Sequence, residues 1–384
     1  MGFRSAIIGV GQTHHRSKRN DVNGVELINE AVMRALEDAE LTMKEIDAII
    51  IGNMDHFENI NYVDMWSVDG SGGYMKPIMK ITTGGTTGTS VAIAGYHHVA
   101  SGMFDTVLAI GWEKNSESDT TGAIITCSDP VWDRFSYSGA ISSLAAEASA
   151  YMAAYGVTMK DAARVTVRDR KHGSLNPYSH LQKPITIEEC MESPLLAYPI
   201  RLSDVCPRTD GAAAVIFANE KKAGKLCSKP AWVWAASVGH DAGYFADIDF
   251  TKMPSLERAT REAYKLARIK DPFNEFDVIE MYQPYSYAGL KWIEAMGLCG
   301  PGEAPRLLWD GVTDLGGELP INPSGSTLCT NCIGATAILR VAEVALQIQG
   351  KAGARQVPDV KVGMATGFGG CFWSDVMILG NEPR

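Results

Sequence analysis

Residues 84–90 read G-G-T-T-G-T-S and lead into a helical pattern over residues 91–100. An apolar run before the glycines predicts a strand, and the whole order predicts a strand, a tight turn and a helix N-terminus. Such a turn usually places a reactive side chain in the field of the helix dipole. Here glycine and threonine occupy the turn, so it supplies no nucleophile of its own.

A helix followed by a short link and an apolar strand occurs twice in this chain. In the first copy, alanines recur every fourth residue over residues 31–39, and the apolar run 46–51 follows. In the second copy, the same spacing covers residues 259–267, and the run 276–281 follows. Alanines on one helix face permit close packing, so both helices are predicted to lie against a sheet.

The next unit along the chain is doubled as well. The glycine turn opens a helix that extends to residue 100, and the apolar strand 106–110 follows. Later, residues 325–334 precede a helix over 335–349, and the strand 362–365 follows. Two matched units in the same order predict an α/β protein with two duplicated halves and mostly parallel, buried strands.

The duplication also predicts the domain boundaries. We assign residues 1–222 to an N-terminal half and residues 230–384 to a C-terminal half. Residues 116–207 differ from both, because they mix polar loops with short helical stretches such as 140–155. We predict that this region is an inserted loop domain over the core, a common place for substrate contacts.

Composition excludes several classes of protein. The chain has 384 residues, is 46% hydrophobic and carries a net charge of -10, which disfavours nucleic-acid or anionic-membrane binding. No window approaches 18 uninterrupted apolar residues, so we expect no transmembrane helix. The apolar run at residues 6–10 is too short for a signal peptide and predicts a first strand. Eight cysteines without a secretory signal indicate reduced thiols and a cytoplasmic protein.

Several motifs resemble those of the thiolase superfamily. Residues 204–214, D-V-C-P-R-T-D-G-A-A-A, are similar to a signature of its lipid-transfer-protein-like, or sterol-carrier-type, branch. N-P-S-G at 322–325 with I-G-A-T at 333–336 resembles the N-P-x-G…G-H-P-x-G-A-T block, and G-F-G-G at 367–370 resembles the C-terminal glycine loop. The resemblance runs nearly end to end. It implies a five-layer α-β-α-β-α thiolase fold.

The standard catalytic positions of that family are changed in this chain. Gly85 aligns with the acylated cysteine of the C-x-S-G turn, and Gly367 aligns with the second cysteine. Asn331 aligns with the histidine of G-H-P, and Tyr282 aligns with the asparagine of N-E-A-F. The residues therefore give no support for ordinary acetoacetyl-CoA thiolase chemistry.

Three cysteines in the predicted site loops are candidates for a relocated nucleophile. Cys329 and Cys332 form a C-x-x-C at the start of the second-half helix, where the helix N-terminus lowers a thiol pKa. Cys371 follows the final glycine loop, and a small displacement of that loop would present its thiol. The alternative is that these cysteines are small buried hydrophobic residues.

Other candidates supply hydrogen bonds or a base. Tyr282 can donate to an oxyanion or accept a proton, although a tyrosine at a buried strand end is often structural. Asn331 can hold a thioester carbonyl but cannot act as a base. His56, in the loop after an apolar strand, is the preferred imidazole, with a surface-loop histidine as the alternative. Backbone N–H groups at Gly85 and near Gly370 can form an oxyanion hole, and the bare glycine leaves room for a bulky acyl group.

Three functions remain open at this point. The first is a noncanonical thiolase acting on a bulky, branched or aromatic β-ketoacyl-CoA, similar to the benzoylsuccinyl-CoA thiolase of this branch, with a relocated thiol or CoA itself as nucleophile. The second is a retro-aldolase on a β-hydroxyacyl-CoA, similar to the steroid side-chain aldolases, which also lack the cysteine. The third is a noncatalytic acyl-CoA-binding subunit. The missing cysteine favours the aldolase, but the thiols in the site loops favour the thiolase, and we prefer the thiolase.

The resemblance also implies ligands and partners. It implies coenzyme A as substrate or product, a homodimeric core, and a small partner subunit with a zinc ribbon and an OB-like fold. No metal site is expected in this chain, because a lone C-x-x-C supplies half of a closed zinc site. No phosphate-loop motif identifies the CoA contacts. Arg168, Arg170 and Lys171 are candidates for them, with a solvated helix face as the alternative.

Overall fold

The computed structural model describes residues 3–59, 61–136, 139–244, 247–370 and 372–384. Strands and helices alternate along these residues. The strands are β1 (Ser5–Gln12), β2 (Ala48–Gly52), β3 (Ile78–Lys80), β4 (Thr106–Lys114), β5 (Leu195–Ala197), β6 (Ile200–Arg201), β7 (Asp210–Asn219), β8 (Ala231–His240), β9 (Val278–Glu280), β10 (Val362–Gly369) and β11 (Trp373–Gly380). The helices are α1 (Gly24–Asp38), α2 (Val63–Trp66), α3 (Val68–Ser71), α4 (Thr87–Ala100), α5 (Thr120–Ile125), α6 (Ala140–Tyr155), α7 (Met159–Gly173), α8 (Ile187–Glu192), α9 (Glu220–Leu226), α10 (Pro254–Ala267), α11 (Pro272–Glu275), α12 (Ser286–Ala295), α13 (Ala304–Trp309), α14 (Ser326–Cys329) and α15 (Ile333–Gln349).

Nine of the described strands form one hydrogen-bonded sheet in the order β3-β2-β4-β7-β1-β8-β11-β10-β9. Its two parts, β3-β2-β4-β7-β1 and β8-β11-β10-β9, meet only where Ala6 and Ile7 of β1 pair with Trp232 and Ala231 of β8. The first part contains strands of the N-terminal half of the chain, and the second contains strands of the C-terminal half. The doubling inferred from the sequence is therefore visible in the sheet.

The prediction of mostly parallel strands is wrong. Only β2–β3, β2–β4 and β9–β10 are parallel pairs in this sheet, and the other neighbours run antiparallel. The repeated helix and strand units account for β2–β4 and β9–β10, since crossover helices join parallel strands. The inner strands β7, β1, β8 and β11 lack such crossovers to their neighbours. β10 and β11 are consecutive and closely linked, which requires an antiparallel pair.

The helices complete a five-layer α-β-α-β-α arrangement, which confirms the expected thiolase fold. α1 covers one face of the first sheet part through contacts with β1 and β7, and α10 covers the second part through β8 and β11. α4 and α15 pack against each other between the two parts and contact β4 and β10. Every residue of α15 is buried, as expected for a helix enclosed on all sides.

Close contacts in the middle layer depend on glycine. A Cβ atom at Gly88 of α4 would overlap the backbone nitrogen of Ile338 in α15, and one at Gly334 would lie 2.5 Å from the carbonyl oxygen of Trp112. These positions let α4, α15 and β4 approach with their backbones nearly in contact. The N-termini of α4 and α15 consequently lie side by side.

The region predicted as an insertion contains α5 to α8 and the small β5–β6 sheet. The helix expected over residues 140–155 is α6. α6 packs against α5, β5 and β6, and α7 packs against α12 and α14, so this region is joined to the second half of the chain. None of the helices in the described part of the chain is both long enough and apolar enough to span a bilayer.

Candidate active site

A cavity of about 290 Å³ lies where the N-termini of α4 and α15 meet the inserted region. Gly85, Asn331 and Ile333 mark those two helix starts in its wall. Most of the wall is apolar, with several polar side chains and the charged side chain of Arg208. The apolar lining includes Ile124, Ile125, Ile141, Leu144, Val205, Phe368 and Phe372, and the polar lining includes Asn115, Cys127, Cys206, Tyr282 and Asn331.

The amide of Asn331 is held in one orientation. Its Oδ1 accepts hydrogen bonds from Thr336 Oγ1 at 2.9 Å and from the Tyr282 hydroxyl at 3.4 Å. Its Nδ2 donates to Cys206 Sγ at 3.1 Å. With Oδ1 engaged by two donors, the NH₂ group is directed to the Cys206 side of the cavity. Asn331 can therefore donate to a substrate carbonyl there.

The backbone of Asn331 is fixed by residues from two other segments. Asn115 Nδ2 donates to the Asn331 carbonyl at 3.0 Å, and the N–H of Asn331 donates to Thr209 Oγ1 at 3.2 Å. The Asn115 side chain is buried, and its Oδ1 has no hydrogen-bond partner within the described residues. A buried amide oxygen without a partner is costly, so this atom is suited to accept from a bound ligand.

Tyr282 lies directly after β9 and is 4% exposed. Its backbone N–H donates to Thr366 Oγ1 at 3.0 Å, which fixes the start of the loop. Burial, reinforced by the neighbouring Cys206, raises the pKa of the Tyr282 phenol above its ordinary value. The phenol is consequently neutral near pH 7. It acts as a hydrogen-bond donor to an oxyanion more readily than as a base.

Cys206 is a cavity residue that sequence reasoning did not select. It lies in the motif at residues 204–214, which we used for the fold and not for chemistry. Burial raises the pKa of the Cys206 thiol to about 12, so it is protonated near neutral pH. Its sulfur accepts the hydrogen bond from Asn331, which leaves the S–H proton available to the cavity. The cysteine inside that motif was the signal that could have identified it.

The position of the missing family cysteine is filled by backbone. A Cβ atom at Gly85 would overlap the carbonyl oxygen of Phe368 at the end of β10. A Cβ at Gly367, the second family position, would overlap Thr89 Oγ1. The expectation that the bare glycine opens space at its own Cβ position is therefore wrong, because β10 and α4 have closed on it. Gly85 still lines the cavity through its backbone.

A second thiol that sequence reasoning missed lies beside the glycine turn. Cys127 follows α5 and lines the cavity. Its Sγ is 3.9 Å from the Cβ position of Gly84 and 3.7 Å from that of Gly370. The thiol thus lies between the glycine turn before α4 and the C-terminal glycine loop. Cys127 is far in sequence from both loops, and no motif or periodicity connects it with them.

The structure does not bring the other predicted nucleophiles into the cavity. Cys332 is buried with its Sγ 3.7 Å from His15 Nδ1, and burial raises its thiol pKa. Cys329 is also buried, and its thiol donates to the Asp169 carbonyl at 3.3 Å. Neither is part of the cavity wall as described. Cys371 lies outside the described residues.

The predicted imidazole and the basic candidates lie elsewhere. His56 is exposed in the loop after β2 and does not belong to the described cavity lining. Arg168 is fully buried and paired with Asp169, so it is neither a CoA contact nor part of a solvated helix face. Arg170 donates to the Lys183 carbonyl at 2.9 Å. Across the residues that are described, no cluster of three or more His, Cys, Asp or Glu side chains is arranged to hold a metal.

Comparisons with known proteins agree with this architecture. A model of the thiolase N-terminal domain matches residues 5–193, and a thiolase C-terminal domain-like model matches residues 237–381. The chain is 33% identical to an acetyl-CoA acetyltransferase of Methanothermobacter thermautotrophicus, over 95% of this chain and 96% of that protein. It is 29% identical to the 17-hydroxy-3-oxo-4-pregnene-20-carboxyl-CoA lyase of Mycobacterium tuberculosis, over 85% of this chain and 87% of that protein.

A solved structure shows the same fold over almost the whole chain. The Ltp2-ChsH2(DUF35) aldolase superposes with a TM-score of 0.85 at 24% identity and covers 98% of both chains. The doubled sheet, the shared middle layer and the matched domains lead to one assignment. This chain belongs to the thiolase superfamily, in its sterol-carrier-type branch, and is a noncanonical thiolase-type enzyme of carbon–carbon bond chemistry.

Proposed function

We propose that this chain cleaves the carbon–carbon bond of a β-ketoacyl-CoA with CoA as acyl acceptor, or forms that bond in reverse. The observation that carries the proposal is the convergence of Tyr282, Asn331 and Cys206 in one mostly apolar cavity. All three are neutral hydrogen-bond donors in this environment. Thiolytic cleavage generates two oxyanions, and neutral donors in a dry site stabilise such charges.

Each donor has a distinct task in the proposed reaction. When a sulfur nucleophile adds to the β-carbonyl, the Tyr282 hydroxyl donates to the developing alkoxide. When the carbon–carbon bond breaks, its electron pair passes into a thioester enolate, whose oxygen accepts from Asn331 Nδ2. The Cys206 S–H then gives its proton to the enolate carbon and regains one from solvent. These roles follow from the orientation of the Asn331 amide and the raised pKa of both acidic groups.

The cavity supports a compact, apolar acyl group. Its volume of about 290 Å³ lies at the lower end of the range of roughly 300–1,000 Å³ for small-molecule sites. Ile124, Leu144 and Phe372 contribute apolar side chains to the wall, which also includes the charged side chain of Arg208. We therefore propose a branched or single-ring aromatic acyl group as substrate, bound as its CoA thioester.

The sheet edge and the structural relative support proposals about partners. β3 ends the nine-stranded sheet, and Met79 in it is 49% exposed, which is consistent with a homodimer formed at this edge. We also propose a small zinc-ribbon/OB-fold partner subunit, since the name of the Ltp2 structure couples it to ChsH2(DUF35). Light scattering and co-purification with the neighbouring gene product test these proposals. A fully active, isolated homodimer would remove the need for the partner.

The test of the reaction is its dependence on CoA. The enzyme is incubated with a β-ketoacyl-CoA carrying a benzoyl or branched acyl group, with and without free CoA. The proposal requires two acyl-CoA products and no multiple-turnover cleavage without CoA. Tyr282→Phe and Asn331→Ala should each lower kcat by about 10²-fold, the usual loss for one oxyanion donor. Trp309→Phe, at an exposed site on α13, is the matched control and should not change kcat.

A retro-aldolase is the second candidate. It is favoured by the 29% identity to a steroid CoA lyase and by the absence of a side chain at Gly85. That reaction requires a base for the β-hydroxyl proton, and the raised pKa of Tyr282 opposes this role. Cleavage of a β-hydroxyacyl-CoA without CoA, with release of an aldehyde or ketone, would replace the thiolase proposal with this one.

A further inference from the structure

We infer that Cys127 is the acyl-accepting nucleophile of this site, in place of the side chain that the glycine turn lacks. The inference deepens the proposed thiolysis and rests on it. It assigns the first covalent step to a thiol that comes from the inserted region. Of the thiols chosen from the sequence, Cys332 and Cys329 are buried away from the cavity, and Cys371 lies outside the described residues.

The placement of Cys127 is the first observation. Its Sγ is within 4 Å of the Cβ positions of both Gly84 and Gly370, at 3.9 and 3.7 Å. The two glycine loops therefore bracket the sulfur, and the residue lines the cavity. Because the Cβ positions of Gly85 and Gly367 are closed by Phe368 and Thr89, a nucleophile cannot extend from those two positions. A thiol that enters from α5 reaches the same space from the opposite wall.

The position of Cys127 near the N-terminus of α4 is the second observation. The glycine turn leads directly into α4, a helix of 14 residues that begins at Thr87. Its N-terminus carries partial positive charge, which stabilises a thiolate close to the turn. For Cys206, burial raises the thiol pKa to about 12. We therefore assign different tasks to these two thiols, attack to Cys127 and protonation of the enolate to Cys206.

An unpartnered polar atom in the same cavity points to a ligand. Asn115 is fully buried, lines the cavity, and its Oδ1 accepts no hydrogen bond from any residue that the structure describes. Buried acceptors are rarely left unpaired in a folded protein. An N–H of the pantetheine arm of a bound acyl-CoA is a donor of the required kind. This observation is independent of the position of Cys127.

The covalent step balances without any further reagent. Cys127 releases its S–H proton to solvent, and the sulfur forms a bond to the β-carbonyl carbon of the substrate. The tetrahedral alkoxide collapses, the carbon–carbon bond breaks, and its electron pair forms the enolate, which takes up one proton at carbon. CoA then attacks the Cys127 thioester, its acyl group moves to the CoA sulfur, and the CoA thiol proton restores the Cys127 thiol.

Intact-protein and peptide mass spectrometry test the inference directly. Wild-type protein incubated with a β-ketoacyl-CoA in the absence of free CoA should gain one acyl mass on the peptide that contains Cys127. Addition of CoA should remove that mass. Cys127→Ser and Cys127→Ala should lose the adduct and at least about 10²-fold in kcat for CoA-dependent cleavage. Cys227→Ser, at the end of α9, is the matched control and should keep both.

Measurements on the wild-type protein avoid the question of whether a variant folds. Alkylation by iodoacetamide should modify Cys127 first, and bound acyl-CoA should protect it. CoA-dependent cleavage by Cys127→Ala at the wild-type rate would overturn this inference but leave the proposed function intact, with CoA attacking directly. CoA-independent release of an aldehyde or ketone would instead overturn the proposed function. An adduct on a cysteine other than Cys127 would overturn only the inference.

Discussion

Restoring a side chain at Gly85 should destabilise the protein and should not create a thiolase nucleophile. Gly85→Ala and Gly85→Cys both place a Cβ atom against the Phe368 carbonyl, a backbone atom that cannot rotate away. The Phe368 ring is 4.8 Å from the Trp292 ring and 6.2 Å from the Tyr282 ring, so packing holds this end of β10 in place. Gly85 is not among the residues with positive φ. The substitution therefore destabilises the protein through steric overlap and not through backbone strain.

The size of the effect follows from overpacking and from chain length. Forcing one extra carbon into a closed site costs about 1–3 kcal/mol. The unfolding entropy of a 384-residue chain is about 0.8 kcal/mol/K, at about 2.1 cal/mol/K per residue. The melting temperature of Gly85→Ala should accordingly fall by about 1–4 °C. The melting temperature of Gly85→Cys should fall by at least as much. The rate of acyl transfer by this variant should not exceed that of the wild type.

Differential scanning calorimetry at matched protein concentration measures this shift, and Gly224→Ala supplies the control. Gly224 lies inside α9, and nothing lies within 4 Å of its Cβ position. The same substitution should there stabilise the protein by about 0.5–1 kcal/mol, since alanine is the better helix former. If Gly85→Ala melts at or above the wild-type temperature while Gly224→Ala behaves as expected, the closure of the site by Phe368 is refuted.

Three further predictions concern the donor network, pH and substrate size. Thr336→Val removes the hydroxyl that orients the Asn331 amide and should lower kcat about tenfold with little change in KM, in steady-state assays. Burial raises the pKa of Asp375 to about 6. The folded state therefore binds this proton more tightly than the unfolded chain. The contribution of the Asp375 proton to stability should be fully present below about pH 4 and should be lost, by about 2–3 kcal/mol, as pH rises to 6; the difference between wild type and Asp375→Asn in urea titrations measures it. Leu144→Trp fills part of the apolar cavity and should lower kcat/KM at least tenfold for an aromatic acyl-CoA, with small acyl groups less affected.

Each of these has a matched comparison. Thr336→Ser keeps the hydroxyl and should retain most of the activity, and equal losses in both variants would contradict the orienting role. Asp375→Asn should reduce the loss of stability between pH 4 and 6 by about 2–3 kcal/mol, since other buried carboxyls such as Glu280, whose pKa is raised to about 7, still titrate. The same slope in variant and wild type would contradict the assignment to Asp375. Leu144→Met preserves volume, so a loss with Met as large as that with Trp would argue against a steric effect.

The sequence was sufficient for the architecture, because the architecture follows from local patterns. Alanine spacing in α1 and α10 predicts helices packed on sheets, and the glycine turn before α4 predicts a strand, a turn and a helix start. The repeated helix and strand units predict that the chain consists of two similar halves. The same patterns contain no information on strands without crossover helices, and for that reason the prediction of parallel strands failed for β7, β1, β8 and β11.

The sequence by itself also predicted three residues that line the site. Gly85, Tyr282 and Asn331 were placed by resemblance to motifs, and all three line one cavity. A sequence motif identifies the residues at loop positions, but it does not determine the orientation of their side chains. Cys332 precedes α15 immediately after Asn331, yet its thiol packs against His15 while the Asn331 amide faces Cys206.

Only the tertiary structure decided which thiols share the cavity. Cys127 reaches the glycine loops because α5 is folded over them by the inserted region, a contact between segments more than 200 residues apart in the case of Gly370. Cys206 contacts Asn331 across a separation of 125 residues in sequence. Periodicity and capping act over a few residues, whereas the distance between two loops is set by the packing of the whole sheet and its helices. The absence of a nucleophile at Gly85 could be read from the sequence, whereas Cys127 and Cys206 were identified as cavity thiols only from the folded chain.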